Sequence, residues 1–254
     1  MVKGTCKLCG GFGDLCDSHI IPESFFKPIY EPEEHKFFRF SNKESSYARQ
    51  MRKGFREPLL CYKKCEPLSQ VYDDYAIRVW QGTEQKAQYE STPDGLLVKN
   101  LDYSKMKLFF ILTLWRAGIS NLPDFAEIQL GPHEQRMRQM ILEGNPGHQY
   151  EYPCILLSSR KDPQVRNIMQ HFMAILGKVK AEGHTVYRFF IGSFFWLLFS
   201  SVKLKATRYD TFSSIKENGE LFIYQNDKYV ESVLLQTAKV MNSSLRLNQD
   251  GKPA

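Results

Sequence analysis

Cys6-Lys7-Leu8-Cys9-Gly10 and Cys61-Tyr62-Lys63-Lys64-Cys65 are the two stretches that decide how the N-terminal part of this 254-residue chain folds. The first sets two thiols at short spacing and follows them with Gly10, Gly11 and Gly13, which let the backbone turn tightly beneath a metal ion. The second repeats the device with a three-residue gap between its cysteines. Four thiolates satisfy a closed, tetrahedral structural site, so Zn²⁺ is expected on Cys6, Cys9, Cys61 and Cys65. Cys16 is a rival fourth ligand because it lies near the first pair; the other reading makes it a small buried hydrophobe. Cys154 stands alone in an apolar stretch and reads as core.

The rest of the composition bounds the problem without solving it. Hydrophobic residues make up 43% and charged residues 24%, which suits a globular chain with ample material for a core. A net charge of +6 makes a nucleic-acid partner plausible but does not separate it from a neutral enzyme. The opening Met1–Cys6 has no apolar stretch of the secretory kind, and the longest apolar run, 189–202, is too short for a bilayer and carries Gly192, Ser193, Ser200 and Ser201. A soluble, cytoplasmic protein without a membrane partner is therefore expected. In a reducing compartment, closely spaced cysteines serve as ligands more often than as disulfides.

Composition shifts along the chain divide it into 1–80, a polar, turn-rich connector at 81–100, and a second region at 101–254. In the second region Ser104 is placed to cap an apolar helix that runs to about Ala117 and stops at Gly118. Pro132 opens a further helix that ends at Gly144. Asp162-Pro163 signals a third, with Val165, Ile168, Met169, Phe172, Met173 and Leu176 at helical spacing and Gly177 as its stop. Residues 185–191 and 194–202 read as buried strands, and Asn218-Gly219 as a turn into strand Glu220–Tyr224. A last helix is expected from about Tyr229 to Leu245, with a frayed end at 248–254. His133, His148, His171 and His184 are scattered, without pairing or partner cysteines, and read as structural. Trp115-Arg116 could hold an interface, although core packing explains its aromatic residue more simply.

Between the cysteine pairs lies Asp17-Ser18-His19-Ile20-Ile21-Pro22-Glu23. A Cys-x2-Cys knuckle, then Ser-His-Ile-Ile-Pro, then Leu-Leu-Cys and a closing cysteine together resemble the zinc-stapled HNH endonucleases, the ββα-metal nucleases. The likeness covers roughly residues 5–75. It implies that His19 sits at the end of a hairpin strand as general base, and that the second cysteine pair opens a helix whose first residues hold a catalytic divalent ion. On this chain that ligand would be Glu66, with Mg²⁺ or Mn²⁺ as the ion. Hydrolysis of a phosphodiester needs both a base and a stabiliser of phosphate charge, and Mg²⁺ prefers oxygen ligands. The chain departs from the pattern in three places. Ser18 stands where the family usually has an acidic residue, no Asn precedes the second cysteine pair closely, and Glu66 replaces a His or Asn. Asp73 and Asp74 could extend an acidic face from Glu66, or belong to a solvated helix surface. His19 fits a base, a turn cap or a zinc ligand.

The segment 42–64 holds Lys43, Arg49, Arg52, Lys53, Arg56, Lys63 and Lys64 against Glu44 and Glu57, a net of +5 from seven cations and two carboxylates. Tyr47, Phe55 and Tyr62 are interleaved. Cations neutralise phosphates and aromatic rings stack on exposed bases, so Arg49, Arg52, Lys53, Arg56, Lys63 and Lys64 are candidate nucleic-acid contacts; a solvated loop is the plainer alternative.

The expected fold is α+β: an N-terminal zinc-bound ββα-metal unit followed by a domain of mixed helices and antiparallel strands that recognises a target, regulates or dimerises. The expected function is a metal-dependent nuclease acting on DNA or RNA. The layout also resembles bacterial proteins with an HNH-like N-terminus and a longer C-terminal domain, which implies a role in defence against phage. Two other classes stay open: a catalytically silent zinc ribbon that binds nucleic acid or a protein, and a sensor. A homodimer or a protein partner of the second region is compatible with each.

Overall fold

The computed structural model describes residues 2–30, 37–39, 49–51, 53–159, 173–181, 183–191, 193–202 and 213–233. In the N-terminal part, β1 (Val2–Thr5) and β2 (Phe12–His19) form an antiparallel hairpin around the first cysteine pair. The turn closes through Cys6 N–H to Gly11 O and Gly10 N–H to Cys6 O, both 2.9 Å, with Gly10 at φ 78°, a conformation that favours glycine. Two short strands, β3 (Phe37–Arg39) and β4 (Arg49–Met51), pair with each other. β5 (Arg56–Cys61) then returns to β2 and completes a three-stranded sheet in the order β1-β2-β5. After a short turn α1 (Cys65–Trp80) begins, burying Cys65, Ser69, Tyr72, Tyr75, Ala76 and Val79 at helical spacing.

Residues 81–100, expected to be a connector, hold a β-hairpin instead: β6 (Gln88–Thr92) and β7 (Gly95–Lys99). The Thr92-Pro93-Asp94-Gly95 signal is the tight turn of that hairpin. Gly95 is required there, because a Cβ would meet the Ile223 carbonyl oxygen at 2.1 Å. β6 is mostly exposed and polar, so it has no apolar alternation to betray it.

α2 (Tyr103–Ile119) is buried over twelve of its residues, from Met106 to Ala117, and is capped by Asp102, which accepts from Lys105 N–H at 3.0 Å. Gly118 does not end it. Leu130 packs where a Cβ would stand, at 2.4 Å, so this glycine serves close packing within the helix. α3 (His133–Glu143) ends at Gly144 in the left-handed conformation, φ 63°, as its sequence implies.

The remaining strands are β8 (Cys154–Ser158), β9 (Ala174–Ala181), β10 (His184–Ile191), β11 (Phe194–Ser200) and β12 (Leu221–Gln225). The expected third helix is corrected at its end, since 174–177 belong to β9; its earlier part, 162–172, lies outside the described residues. Helical spacing at Met173 and Leu176 misleads because β9 lies at the edge of the sheet, where one face is only partly buried. Residues 227–233 are helical, with Asn226 accepting from Tyr229 N–H at 3.1 Å; the expected continuation to Leu245 and the frayed end lie outside the described residues.

These strands form one seven-stranded sheet in the order β6-β7-β12-β8-β11-β10-β9, antiparallel except between β12 and β8. Both faces are covered. Trp196 and Leu198 of β11 and Phe189 and Ile191 of β10 enter the main core, while Phe195, Phe199, Val186 and Phe190 enter a second cluster with Val230 and Val233. That double burial explains the long apolar run 189–202. The architecture is mixed helix and sheet, consistent with α+β. No helix among the described residues is long and apolar enough to cross a membrane.

The main core does not stop at the hairpin 88–99. Cys6, Leu8 and Cys65 belong to the same cluster as Trp115, Trp196 and Ile223. Polar ties take the same route: Asp73 makes a bidentate pair with Arg116 at 2.7 and 2.8 Å, and Arg138 Nε donates to the Lys7 carbonyl at 3.2 Å.

Candidate metal centre and histidine site

The hairpin turn, the end of β5 and the first turn of α1 bring Cys6, Cys9, Cys61 and Cys65 together, with all four sulfurs within 4.8 Å of one another. Cys9 and Cys61 Sγ are 3.8 Å apart. A tetrahedron with Zn–S bonds of about 2.3 Å has edges of about 3.8 Å, so the spread suits one ion. Backbone amides already point at sulfur: Cys61 N–H to Cys6 at 3.3 Å and Gly11 N–H to Cys9 at 3.5 Å. Burial pushes the Cys6 and Cys65 thiols up. Burial acts on Cys61 too, but the Cys65 amide and the neighbouring sulfurs outweigh it and bring Cys61 down to about 7. The donor set can bind a metal such as zinc. Cys16 is outside the four, half-buried on β2, its thiol raised by burial and then by Glu66. Cys154 is fully buried in β8.

The second feature is built by the residues just after β2. Ile20, Ile21, Phe25 and Phe26 are buried, and Phe25 meets Trp80, Phe109 and Trp196 at ring-centre distances of 5.9, 6.1 and 5.8 Å. These anchors pin a short 3₁₀ turn, Glu23–Phe25, and leave His19 and Glu23 at the partly open side, 25% and 28% exposed. His19 Nε2 lies 2.9 Å from Glu23 Oε2. The same oxygen accepts from Arg56 Nη2 at 3.3 Å and Gly54 N–H at 3.4 Å, while Tyr30 donates to Oε1. Gly54 also packs tightly, since a Cβ there would run into the Phe26 ring at 2.7 Å.

Burial opposes the Glu23 charge, but the bonds from Tyr30, His19 and Arg56 prevail and hold its carboxyl below the usual range. An ionised carboxylate only accepts, so Nε2 of His19 carries the proton and Nδ1 keeps its lone pair. Among the described residues nothing hydrogen-bonds Nδ1. Burial, and then the Arg56 charge, lower the His19 pKa, more than Glu23 raises it. Arg56 stands opposite His19 in the β2–β5 ladder, and its Nε is buried without a partner among the described residues.

Glu66 is elsewhere. Ser18 Oγ donates to Glu66 Oε2 at 2.6 Å and accepts from Leu60 N–H at 3.3 Å, locking β2, β5 and α1 together. Successive strand residues face opposite ways, so Ser18 with Glu66 and His19 with Glu23 are on opposite sides of β2. Apart from the cysteines, no three His, Asp or Glu side chains converge as a cation site among the described residues. Asp73 is held by Arg116, and Asp74 is exposed. Glu23 has no role in the sequence-based assignment; the signal that could have found it is its i, i+4 spacing from His19.

Of the candidate nucleic-acid contacts, Lys53, Lys63 and Lys64 are exposed and Arg56 is engaged by Glu23. The Arg49 side chain and Arg52 lie outside the described residues. Phe12, which composition does not single out, is 77% exposed, and Tyr62 is 56% exposed. Tyr62 N–H bonds Asp14 O at 3.1 Å, extending the ladder so that Tyr62 stands beside Asp14, with Lys3 on the other side of Asp14. In the second region Lys107 is buried, donating to the Tyr152 and Gln149 carbonyls at 2.9 and 3.4 Å, and burial lowers its ammonium to about 8.

No protein-family model, curated protein or solved structure matches this chain.

Proposed function

We propose that this chain is a zinc-stapled, HNH-like nuclease that cleaves phosphodiester bonds with His19 as general base. The observation that carries the reading is the His19–Glu23 pair. A carboxylate fixes the imidazole by one nitrogen, the other nitrogen is free to take a proton, and the ring stays neutral at physiological pH. Arg56, directly across the ladder, supplies a positive charge for a phosphate. Zinc on Cys6, Cys9, Cys61 and Cys65 ties the strand bearing His19 to β5 and α1.

Glu66 does not suit the part of catalytic cation ligand beside His19, since it is bonded to Ser18 on the other side of the strand. Among the described residues no preformed cage of oxygen ligands stands beside His19, so Mg²⁺ or Mn²⁺ held by these residues would come largely with substrate phosphates and water. The same fact favours the second reading, a silent zinc module that binds nucleic acid through the exposed Phe12, Tyr62, Lys63 and Lys64.

Incubation of purified protein with labelled DNA and RNA, with and without added Mg²⁺ or Mn²⁺, separates the two. Cleavage that falls about 10²–10⁴-fold in His19→Ala supports the nuclease. Binding without cleavage, weakened about tenfold in Phe12→Ala or Tyr62→Ala and steeply by salt, supports the silent module.

A further inference from the structure

The groups around His19 are better matched to one phosphodiester substrate than to another. Both oxygens of Glu23 are occupied, Oε1 by Tyr30 and Oε2 by His19, Arg56 and Gly54, so this carboxylate orients the ring and has little capacity left for a cation. Glu66 is committed to Ser18 on the opposite side of β2. Among the described residues the site thus offers a base and a guanidinium, and these groups do not build a cage for a hard ion.

Cleavage of DNA requires an external water as nucleophile. A lone imidazole contributes about 10²–10⁴-fold to such a step, and enzymes that use water on phosphodiesters ordinarily add a cation to activate it and stabilise the leaving oxygen. RNA carries its own nucleophile. A ribose 2′-hydroxyl held next to the 3′-phosphate reacts within the molecule, and well-oriented internal groups reach effective molarities of about 10⁵–10⁸ M. That advantage exceeds the whole contribution of the base, so the base and guanidinium found here favour RNA over DNA.

We propose, building on the reading that His19 is a base acting at phosphodiesters, that the site takes RNA and cleaves it by internal transphosphorylation. His19 Nδ1 removes the proton from a 2′-hydroxyl. The 2′-oxygen forms a bond to phosphorus, the bond from phosphorus to the 5′-oxygen of the next nucleotide breaks, and the departing oxygen takes a proton from water. The hydroxide left behind removes the proton from His19. The products are a 2′,3′-cyclic phosphate and a free 5′-hydroxyl, with nothing oxidised or reduced. Arg56 balances the charge that builds on the phosphate, and Glu23 is a positioning residue that holds Nε2–H so that Nδ1 faces the substrate.

The test uses the full zinc-loaded chain and four oligonucleotides of one sequence: all RNA, all DNA, all 2′-O-methyl RNA, and DNA with a single ribonucleotide. Each is incubated with and without millimolar Mg²⁺, and the ends are identified by mass spectrometry. The expected result is cleavage of the RNA, and of the mixed strand 3′ to its one ribose, without added cation, leaving 2′,3′-cyclic phosphate ends. His19→Ala and His19→Gln, prepared identically and shown to keep their zinc and circular dichroism, lose about 10²-fold or more. Arg56→Lys keeps the charge and retains more activity than Arg56→Gln. Cleavage of the all-DNA strand only with Mg²⁺ overturns this inference and leaves the nuclease reading standing. If no strand is cut, both fail.

Discussion

At His19 three influences compete for one proton. Burial and the Arg56 and Arg116 charges favour the neutral ring, and Glu23 favours the protonated one; the former prevail. Tyr30 also faces Glu23, its own hydroxyl pushed up by burial and by that carboxylate, so it stays protonated throughout the neutral range. The unprotonated His19 therefore persists below the ordinary histidine value, and if His19 is the base proposed above, the acid limb of a pH–rate profile should lie below about 6.5. Removing the carboxylate charge with Glu23→Gln takes away the one influence that raises the pKa. The limb should move to still lower pH while the maximal rate falls, because a neutral amide oxygen holds Nε2–H more weakly than a carboxylate does. A limb that moves upward, or a rate that is unchanged, contradicts the assignment. The sign for stability is the same. Between the folded pKa and about 6.5 the unfolded chain binds more protons, so the His19 contribution is present above that window and lost as pH falls through it.

Among the elements, α1 and α2 are joined by a pair that helical spacing alone misassigns. Asp73 lies on the same side of α1 as Glu66 and invites reading as part of an acidic metal face, yet both its oxygens bond the Arg116 guanidinium. Arg116 is only 2% exposed in its side chain and Asp73 13%, so neither charge can be rehydrated without moving the helices. Removing one partner leaves the other buried and unpaired. Asp73→Ala should cost about 3–5 kcal/mol in urea unfolding, and the double variant Asp73→Leu with Arg116→Met should recover most of it. A single variant with stability near wild type would show that the pair opens to water.

Across the whole molecule, the cysteine cluster is continuous with the main core. Cys6 and Cys65 are buried in the same cluster as Trp115 and Trp196. Glu57 accepts from Ser120 Oγ at 2.8 Å and Asn121 Nδ2 at 2.7 Å, and Asp102 N–H donates to Tyr75 Oη at 2.6 Å, which adds polar ties between 1–80 and the second region. Chelating a metal held by the four cysteines, or Cys65→Ser, should accordingly shift one cooperative thermal transition downward rather than melt residues 1–80 alone. A loss of about 5 kcal/mol corresponds to roughly 10–20 °C in a chain of this size. Two calorimetric transitions with the upper one unmoved would mean that the parts fold independently. The same packing bears on self-association. The apolar α2 could have served as a docking helix for a second copy, but its residues Met106–Ala117 are buried within the chain.

Local chemistry alone determined the cysteine pairing, the α3 boundaries, the turn at Gly219 and the two strands rich in Phe. Each depends on spacing or turn preference over a few residues. The hairpin 88–99 escaped because an exposed, polar strand has no periodic signal until a neighbour supplies its hydrogen bonds. The site around His19 was legible only by half. His19 stood out by its motif, but Glu23 rather than Glu66 became its partner because strand alternation sends Ser18 and His19 to opposite sides, and only the anchoring of Ile20, Ile21, Phe25 and Phe26 decides where the chain goes next. Residues far apart in sequence meet through packing, and packing is a property of the whole core. Spacing along the chain was enough to mark which cysteines could hold a metal, whereas the choice of carboxylate beside the histidine came from long-range packing.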